Sequence, residues 1–270
     1  MSWRTVAHKD VRDAGRSRTL WALFGFLSIL FVGYAAAYSY VGDGSFVGFV
    51  GGVVGLVDGA VPILGIVLGY RSISDDRADG SLLLSLSLPQ SRRDLLVGTV
   101  LGRSIVLLVP TLLGLSIAGI YAALQYGTEG ALAYPLFLLA TVLYGASFVA
   151  VGVGLSASTT VDRRITYGAV GAYLLLVVLW GTLVSFVVAV LHRFNASLGM
   201  PDWALLLQLV EPGQAYARLL RVGFDIGRAG RYVGEGTPPF VDWWAALAVL
   251  ALWIAVPLAI GYRRFGSGDL

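Results

Sequence analysis

The chain has 270 residues, of which 57% are hydrophobic and 13% are charged. Soluble domains carry about 25% charged residues, so this composition excludes an ordinary soluble domain and indicates an integral membrane protein. The formal net charge is +3. Cysteine is absent, and its absence excludes disulfides, thiolate nucleophiles and cysteine metal sites.

The first predicted element is an amphipathic helix that precedes the apolar runs. Apolar residues recur at helical spacing at Trp3, Val6, Ala7, Val11 and Ala14. The other face holds Arg4, His8, Lys9, Arg12 and Arg16. This pattern is typical of a helix lying in the membrane interface, and it predicts an amino-terminal elbow leading into the first span.

Six apolar runs are long enough for a helix to cross about 30 Å of hydrocarbon at 1.5 Å per residue. They cover residues 19–41, 47–70, 97–124, 132–155, 165–191 and 241–262. The strands of a transmembrane barrel would instead alternate over about ten residues. We therefore predict an all-α fold with six transmembrane helices, in which residues 1–270 form a single domain.

Basic residues are concentrated in every second connection of this bundle. They are Arg4, Lys9, Arg12, Arg16 and Arg18 before the first span, Arg71, Arg77, Arg92 and Arg93 after the second, Arg163 and Arg164 after the fourth, and Arg263 and Arg264 after the sixth. The loops at 42–46 and 125–131 hold none. Because cytoplasmic loops carry the Lys/Arg excess, this distribution predicts a multi-pass protein of the plasma membrane with both termini in the cytoplasm.

The second predicted span contains Asp58, the one acid near the middle of an apolar run. An ionisable group at that depth usually faces the bundle interior or a wet cavity, so Asp58 is either part of a pathway or a hydrogen-bonded structural acid. Gly51, Gly55 and Gly59 repeat at every fourth position around it. Such ladders bring two helices close, which predicts either a seam between two protomers or a packing face within one.

A charged segment separates the second span from the third. Three acids (Asp75, Asp76 and Asp79) precede Gly80 and Ser81, and the apolar run 82–88, Pro89 and a pair of arginines follow. The apolar run is too short to span a membrane. It predicts a short helix lying along the membrane, with acids at the amino end where the helix dipole favours them.

This segment resembles the one that joins spans two and three in permease subunits of type-two ATP-binding cassette (ABC) exporters. The matching residues are Asp76, Gly80, Ser81, the Leu-rich run 82–88, Pro89, Ser91, Arg92, Asp94 and the pair Gly98-Thr99. The sequence departs from the family pattern at Asp76, where Glu is usual, and at Thr99, where Lys is usual. The elbow, the six spans and the enlarged loop before the last span extend the resemblance over nearly the whole chain. Within the family, the sequence is similar to the branch associated with maturation of the nitrous oxide reductase copper site.

The resemblance implies half of a transporter. Two permease copies, identical or paralogous, would flank the pathway. Separate ATP-hydrolysing subunits would dock on the charged segment, and Arg93 would belong to this docking site together with the matched residues. ATP and Mg²⁺ would belong to the partner subunit, so no cofactor is expected on this chain. Membrane lipid is an expected partner, and nucleic acid is not.

The last connection, residues 192–240, predicts two short amphipathic helices that cap the outer face or dip back into it. One apolar stripe consists of Trp203, Leu206, Leu207 and Val210. The other consists of Tyr216, Leu219, Leu220 and Phe224, with Arg218 and Arg221 expected on the opposite face.

No catalytic chemistry is predicted for this chain. A phosphate-binding loop needs a Gly-Lys-Ser/Thr sequence, and the only lysine is Lys9. The two histidines, His8 and His192, lie in different connections and form no His-Glu-x-x-His motif, so a zinc protease is excluded and no metal site is expected. The chain is therefore not predicted to be an enzyme.

Two other functions are compatible with the composition. An ion-coupled secondary transporter would use Asp58 as its coupling acid, although no inverted repeat of broken helices accompanies it. A membrane scaffold would need no pathway, so Asp58 and the glycine ladder would be dispensable. Among substrates, a copper route lacks Met, Cys or His clusters, and a peptide, a lipid or a drug is equally compatible with the sequence.

Overall fold

The computed structural model describes residues 3–16, 18–42, 44–74, 91–159, 161–195, 200–224 and 238–267. The fold is all-helical, and six helices are long and apolar enough to cross a membrane, which confirms the predicted fold class. The helices are α1 Trp3–Arg16, α2 Arg18–Val41, α3 Phe46–Gly69, α4 Arg92–Tyr126, α5 Tyr134–Ser158, α6 Asp162–Leu191, α7 Asp202–Leu209, α8 Pro212–Leu220 and α9 Trp243–Ser267. Within α6, the stretch Leu174–Leu179 is π-helical.

The bundle has two ends, which we name by the charged segment. Ser74 and Ser91 lie at the charged-segment end, where Arg71 pairs with Asp162 at the start of α6. At the opposite end, Phe46 at the start of α3 contacts Tyr134 at the start of α5, with ring centroids 5.6 Å apart.

Helix α5 forms the centre of the bundle because glycines let its neighbours approach backbone to backbone. A side chain at Gly152 would lie 2.7 Å from the carbonyl oxygen of Ile66 on α3, and one at Gly154 would lie 2.5 Å from that of Pro257 on α9. Of the most apolar stretch of α5, 67% is buried inside the chain, against 17% for α6. Helix α6 is therefore peripheral, and most of its apolar surface is exposed.

Helix α1 packs against the first turns of α4. A side chain at Gly98 would meet Val6, and one at Gly102 would meet Asp10, so α1 fits closely only because α4 has glycine at both positions. Asp10 also pairs with Arg103, at 3.4 Å. The predicted amino-terminal helix is therefore present, and its place in the membrane interface stays a prediction.

Helices α7 and α8 form a hairpin that enters the bundle from the opposite end. At 1.5 Å per residue, Trp180 lies about 17 Å along α6 from its last residue, Leu191, and Trp253 lies about 15 Å along α9 from its first residue, Trp243. Both of these helix ends are at the opposite end of the bundle. The indole N–H groups of the two tryptophans donate to the carbonyl oxygens of Leu207 (2.8 Å) and Val210 (2.7 Å) at the tip of the hairpin. The hairpin thus reaches about half the depth of the bundle. This agrees with the predicted arrangement in which the two helices dip back into the bundle, and not with the one in which they cap its outer face.

The hairpin agrees with the prediction in part: the predicted apolar stripe of Tyr216, Leu219, Leu220 and Phe224 is buried, whereas the face of α7 and the position of Arg218 differ. On α7, Ala204 and Gln208 are buried, whereas Trp203, Leu206 and Leu207 of the predicted apolar stripe are exposed. On α8, Arg218 was expected on the exposed face and is buried instead. It is tolerated there because its guanidinium donates to the carbonyl oxygen of Val241 (2.9 Å) and pairs with Asp242 (2.6 Å).

Candidate functional site

The charged segment can be followed up to its two ends. Asp76, Gly80, Ser81 and Pro89 lie outside the described residues, whereas Ser91, Arg92, Arg93 and Asp94 lie within them. Both ends are attached to other helices of the bundle, and we call these attachments the leading anchor, at residues 72–74, and the trailing anchor, at residues 91–94.

The leading anchor attaches the end of α3 to α5. The backbone N–H groups of Ile73 and Ser74 both donate to the hydroxyl oxygen of Ser156, at 3.0 and 3.1 Å. Ile73 is fully buried, and the Ser72 hydroxyl donates to the carbonyl oxygen of Gly69 at 2.8 Å. One side chain of α5 therefore holds the chain at the point where the charged segment begins.

The trailing anchor begins with a helix cap. Ser91 is the N-cap of α4, and its hydroxyl oxygen accepts from the backbone N–H of Asp94 at 3.0 Å. The same hydroxyl donates to the Asp94 carboxylate at 2.6 Å. A capping serine satisfies backbone donors that a helix start leaves unpaired, so the Ser-Arg-Arg-Asp sequence fixes where α4 begins.

The two arginines of the trailing anchor have different environments. The Arg92 guanidinium donates to the carbonyl oxygen of Phe265 on α9 at 2.5 Å and lies 5.4 Å from the centre of the Phe265 ring. Arg93 is exposed and has no ion pair to any described residue. Arg92 therefore joins α4 to α9, and Arg93 is the arginine available to a partner.

Asp58 lies in the middle of α3, about 18 and 17 Å from its two ends at 1.5 Å per residue. The hydroxyl of Tyr144 on α5 lies 2.7 Å from the Asp58 carboxylate and 3.3 Å from the Asp58 carbonyl oxygen. That carbonyl needs an outside donor because Pro62, four residues further along α3, has no backbone N–H. The Tyr144 hydroxyl is thus a hydrogen-bond donor to both the side chain and the backbone of Asp58.

The tip of the hairpin brings a second acid to Asp58. Glu211 caps α8, and its carboxylate accepts from the backbone N–H groups of Gly213 (2.7 Å) and Gln214 (3.0 Å). A side chain at Gly213 would lie 2.6 Å from the Glu211 carboxylate and 2.8 Å from that of Asp58. Glycine at position 213 therefore lets α8 approach both carboxylates.

Tyr216 on α8 completes the group, which we call the Asp58 cluster: Asp58, Tyr144, Glu211, Gly213 and Tyr216. The rings of Tyr216 and Tyr144 stack with centroids 4.6 Å apart, and the Tyr216 hydroxyl lies 3.0 Å from that of Thr141. Burial raises the pKa of the Tyr216 phenol well above its ordinary value, so the hydroxyl keeps its proton. The cluster joins α3, α5 and α8 through polar contacts at the middle of the bundle.

Two glycines of the α3 ladder face away from the described helices. No described residue comes within 4 Å of a side chain placed at Gly55 or Gly59, whereas Gly51 is half-buried. At Gly55 and Gly59 the ladder is therefore not a packing face toward the described part of the chain.

Sequence reasoning identified Asp58 but not its neighbours. Tyr144, Glu211 and Tyr216 reach it from distant parts of the chain, and only Pro62, one helical turn after Asp58, signals locally that this backbone carbonyl needs a partner. Among the described residues, no group of three or more His, Cys, Asp or Glu could hold a metal ion.

Comparison with known proteins covers the whole length of the chain. The profile of a family described as "ABC-2 family transporter protein" matches residues 4–270. A protein named "Probable ABC transporter permease protein NosY" from Pseudomonas aeruginosa is 30% identical over 269 residues, which cover 97% of this chain and 96% of the relative. A protein of the same name from Stutzerimonas stutzeri is 29% identical over 274 residues, covering 96% of each chain.

Proposed function

Because the chain belongs to the ABC-2 family of transporter proteins and is the membrane permease subunit of an ABC transporter, we propose that its charged segment receives the force of a separate ATP-hydrolysing subunit. The predicted resemblance to ABC permeases is thus confirmed at the level of the family. The proposal adds the direction of transport, which we take to be export, and the residues that link the two subunits.

The observation that carries the proposal is the attachment of both ends of the charged segment to other helices. The leading anchor joins it to α5 through Ser156, and the trailing anchor joins it to α9 through Arg92. A displacement of the segment by a partner would therefore act on α5 and α9 together. Helix α9 is in turn bonded to the hairpin through Trp253, and α5 is bonded to Asp58 through Tyr144.

In this proposal the residues between Asp76 and Asp94 form the docking surface. Arg93 offers an exposed guanidinium that can bind a carboxylate in bidentate fashion at the rim of a partner groove. Ser91 and Asp94 set the start of α4, and Arg92 transmits the displacement rather than binding the partner.

The test is reversal of the Arg93 charge alone, because reversing both arginines would also break the bond between Arg92 and α9. Arg93→Glu should reduce the ATPase activity that co-purifies with tagged permease from a detergent extract, while membrane insertion stays normal. Arg263→Glu makes the same charge change at an exposed arginine of the same bundle end and is the control. Unchanged co-purification in a correctly inserted Arg93→Glu protein would refute the docking surface.

We further propose that a second permease copy packs against the glycine ladder of α3. Gly55 and Gly59 leave room for close approach of a helix from another chain, and α6 beside it exposes most of its apolar surface. Because the chain has no cysteine, Gly55→Cys provides a single thiol. Oxidative cross-linking of this variant in membranes supports the seam, whereas Leu132→Cys, at an exposed position in a connection, should give no cross-link.

Family membership favours ATP-driven transport over the ion-coupled and scaffold alternatives. Asp58 is then either part of the transport pathway or a hydrogen-bonded structural acid, and only the first role requires its charge. The orientation with both termini in the cytoplasm of a plasma-membrane protein also belongs to this proposal. It is supported by the basic residues of α1, α4, α6 and α9 that meet at the charged-segment end.

A further inference from the structure

The middle of α6 separates two hydrophobic cores. Ala169 and Leu176, in the first part of the helix, are buried in the main core of the bundle. Val184 and Val188, in the last part, are buried in a small second cluster together with Ala204 of α7. The two parts of one helix therefore pack into different cores, and the boundary between the cores crosses α6 at mid-length.

The last part of α6 is bonded to α7. The Trp180 indole, at the start of this part, donates to the carbonyl oxygen of Leu207 near the end of α7. We call the two helical segments that share this bond and the second cluster, residues 180–191 and 202–209, the α6–α7 flap. The next residue of the hairpin, Val210, is bonded instead to the indole of α9, so the flap ends where the hairpin is attached to the rest of the bundle.

Two features make α6 easy to bend at the boundary between the cores. The π-helical stretch Leu174–Leu179 lies there, and such stretches interrupt the regular hydrogen-bond ladder of a helix and are a known cause of helix bending. Gly171 and Gly181 flank the stretch, and no described residue comes within 4 Å of a side chain placed at either position. Packing against the described residues therefore does not require glycine at these positions, and what glycine adds there is backbone freedom.

The π-helical stretch also takes up one extra residue of the sequence. The eight steps from Leu176 to Val184 would turn a regular α-helix about 80° beyond two full turns, whereas seven steps would end about 20° short of them. A π-helical turn accommodates the eighth residue, because its hydrogen bonds join residues i and i+5 in place of i and i+4. A chain that lacks one residue of the stretch should therefore keep both buried faces of α6 in place and form a continuous α-helix between them.

We propose that the α6–α7 flap swings as one unit on a hinge at Leu174–Leu179 during the ATP-driven cycle and opens the bundle at the end opposite the charged segment. Opening separates Leu205 and Leu209, on the inner face of α7, from the main core. The α6 part of the flap extends about 17 Å beyond the hinge, so a swing of about 20° moves its far end by about 6 Å. The proposal rests on membership of the ABC-2 family, and neither the residues that dock the ATPase nor the direction of transport enters it.

The experiment measures distances between pairs of spin labels by electron paramagnetic resonance, in the assembled transporter purified through a tag on the permease and shown to hydrolyse ATP. Because the native chain has no cysteine, labels can be placed on engineered cysteines, and an excess of native chain dilutes the labelled copies. Leu191→Cys on α6, or Trp203→Cys on α7, is paired with Leu132→Cys beside α5, and all three positions are exposed.

Trapping with Mg-ATP and vanadate should change both distances in the same direction, by about 6 Å at the far end of the flap. The distance between Leu132→Cys and Tyr262→Cys on α9 should not change, because neither position belongs to the flap.

Removal of the hinge tests its position in α6. Deletion of Val178, an exposed residue of the π-helical stretch, should leave the nucleotide-free distances unchanged and reduce the nucleotide-driven change to less than half. Val178→Ala keeps the number of residues and is the matched control, which should behave as the native chain does. Gly181→Ala fits the open space at that position but restricts the backbone, so it should also reduce the change.

Three outcomes would overturn the proposal. They are unchanged flap distances in a transporter that hydrolyses ATP, a change at only one of the two flap positions, and a change that survives the deletion of Val178 in full. If the deletion shifts the nucleotide-free distances, the extra residue does not lie in the π-helical stretch, and an undiminished change in Gly181→Ala then overturns the hinge.

Discussion

The two longest connections of this chain are held in opposite ways. The charged segment between α3 and α4 is attached at its ends, by Ser156 on α5 and by Arg92 on α4. The connection between α6 and α9 enters the bundle as the α7–α8 hairpin and is bonded at its tip by Trp180 and Trp253. A segment held at its ends transmits a displacement to the helices it joins, whereas a segment bonded at mid-depth is part of what must move. In the proposed function, this contrast assigns the input from the ATPase to the charged segment and the response to the hairpin.

Filling the space at the tip of the hairpin should have the largest effect. Gly213→Val places atoms against the carboxylates of Asp58 and Glu211, and neither can withdraw without losing the hydrogen bonds that hold it. We expect a loss of about 3 kcal/mol in the free energy of unfolding, seen as a lower apparent Tm of the purified protein.

Gly171→Val is the matched control for this substitution, because no described residue lies within 4 Å of a side chain there. If the two variants unfold at the same temperature, the hairpin tip is not packed against the two acids.

Removal of the leading anchor should have a smaller effect. Ser156→Ala takes away the shared acceptor of the Ile73 and Ser74 N–H groups, at a cost of about 1.5 kcal/mol for buried donors left unpaired. Hydrogen exchange at these two amides should accelerate, and ATP hydrolysis in the assembled transporter should lose its coupling to transport. Ser158→Ala, which removes only a bond to the carbonyl of Leu155, should leave the two amides protected.

Of the three substitutions, neutralising Asp58 should change the free energy of unfolding least, and its main effect should be on activity. Asp58→Asn keeps an oxygen that accepts from Tyr144, so the free energy of unfolding should change by less than about 1 kcal/mol. Loss of the charge should alter transport or substrate-stimulated ATP hydrolysis if Asp58 belongs to the pathway. An Asn variant with unmodified stability, transport and hydrolysis would make Asp58 a structural residue.

The two connections should also face opposite sides of the membrane. Single cysteines at Ser87 and Asp225, both outside the described residues, can be introduced because the native chain has no cysteine. An impermeant thiol reagent should label position 225 on intact cells and position 87 only after the cells are opened. Labelling of both positions from outside would contradict the predicted orientation.

Sequence reasoning predicted the six spans because their length alone separates them from soluble helices. It predicted the buried stripe of α8 but not the buried face of α7, and the reason is physical. Lipid is as apolar as a protein core, so the stripe of Trp203, Leu206 and Leu207 is compatible with either. Asp58 was identifiable because a charge in an apolar run is costly, whereas Tyr144 and Glu211 become its neighbours only through the packing of α5 and α8.

The glycine contacts of α5 restrict how this bundle can change shape. Where α3 and α9 cross α5, backbone meets backbone at Gly152 and Gly154, and no side chain at these crossings can switch rotamer to let one helix slide past another. The three helices must therefore tilt as a single rigid body. Helix α6, with its π-helical stretch and little buried surface, lies outside that body and is joined to it by few polar contacts, of Asp162 with Arg71 and of Trp180 with the hairpin, so we expect an opening of the bundle on its α6 side to be the easiest one.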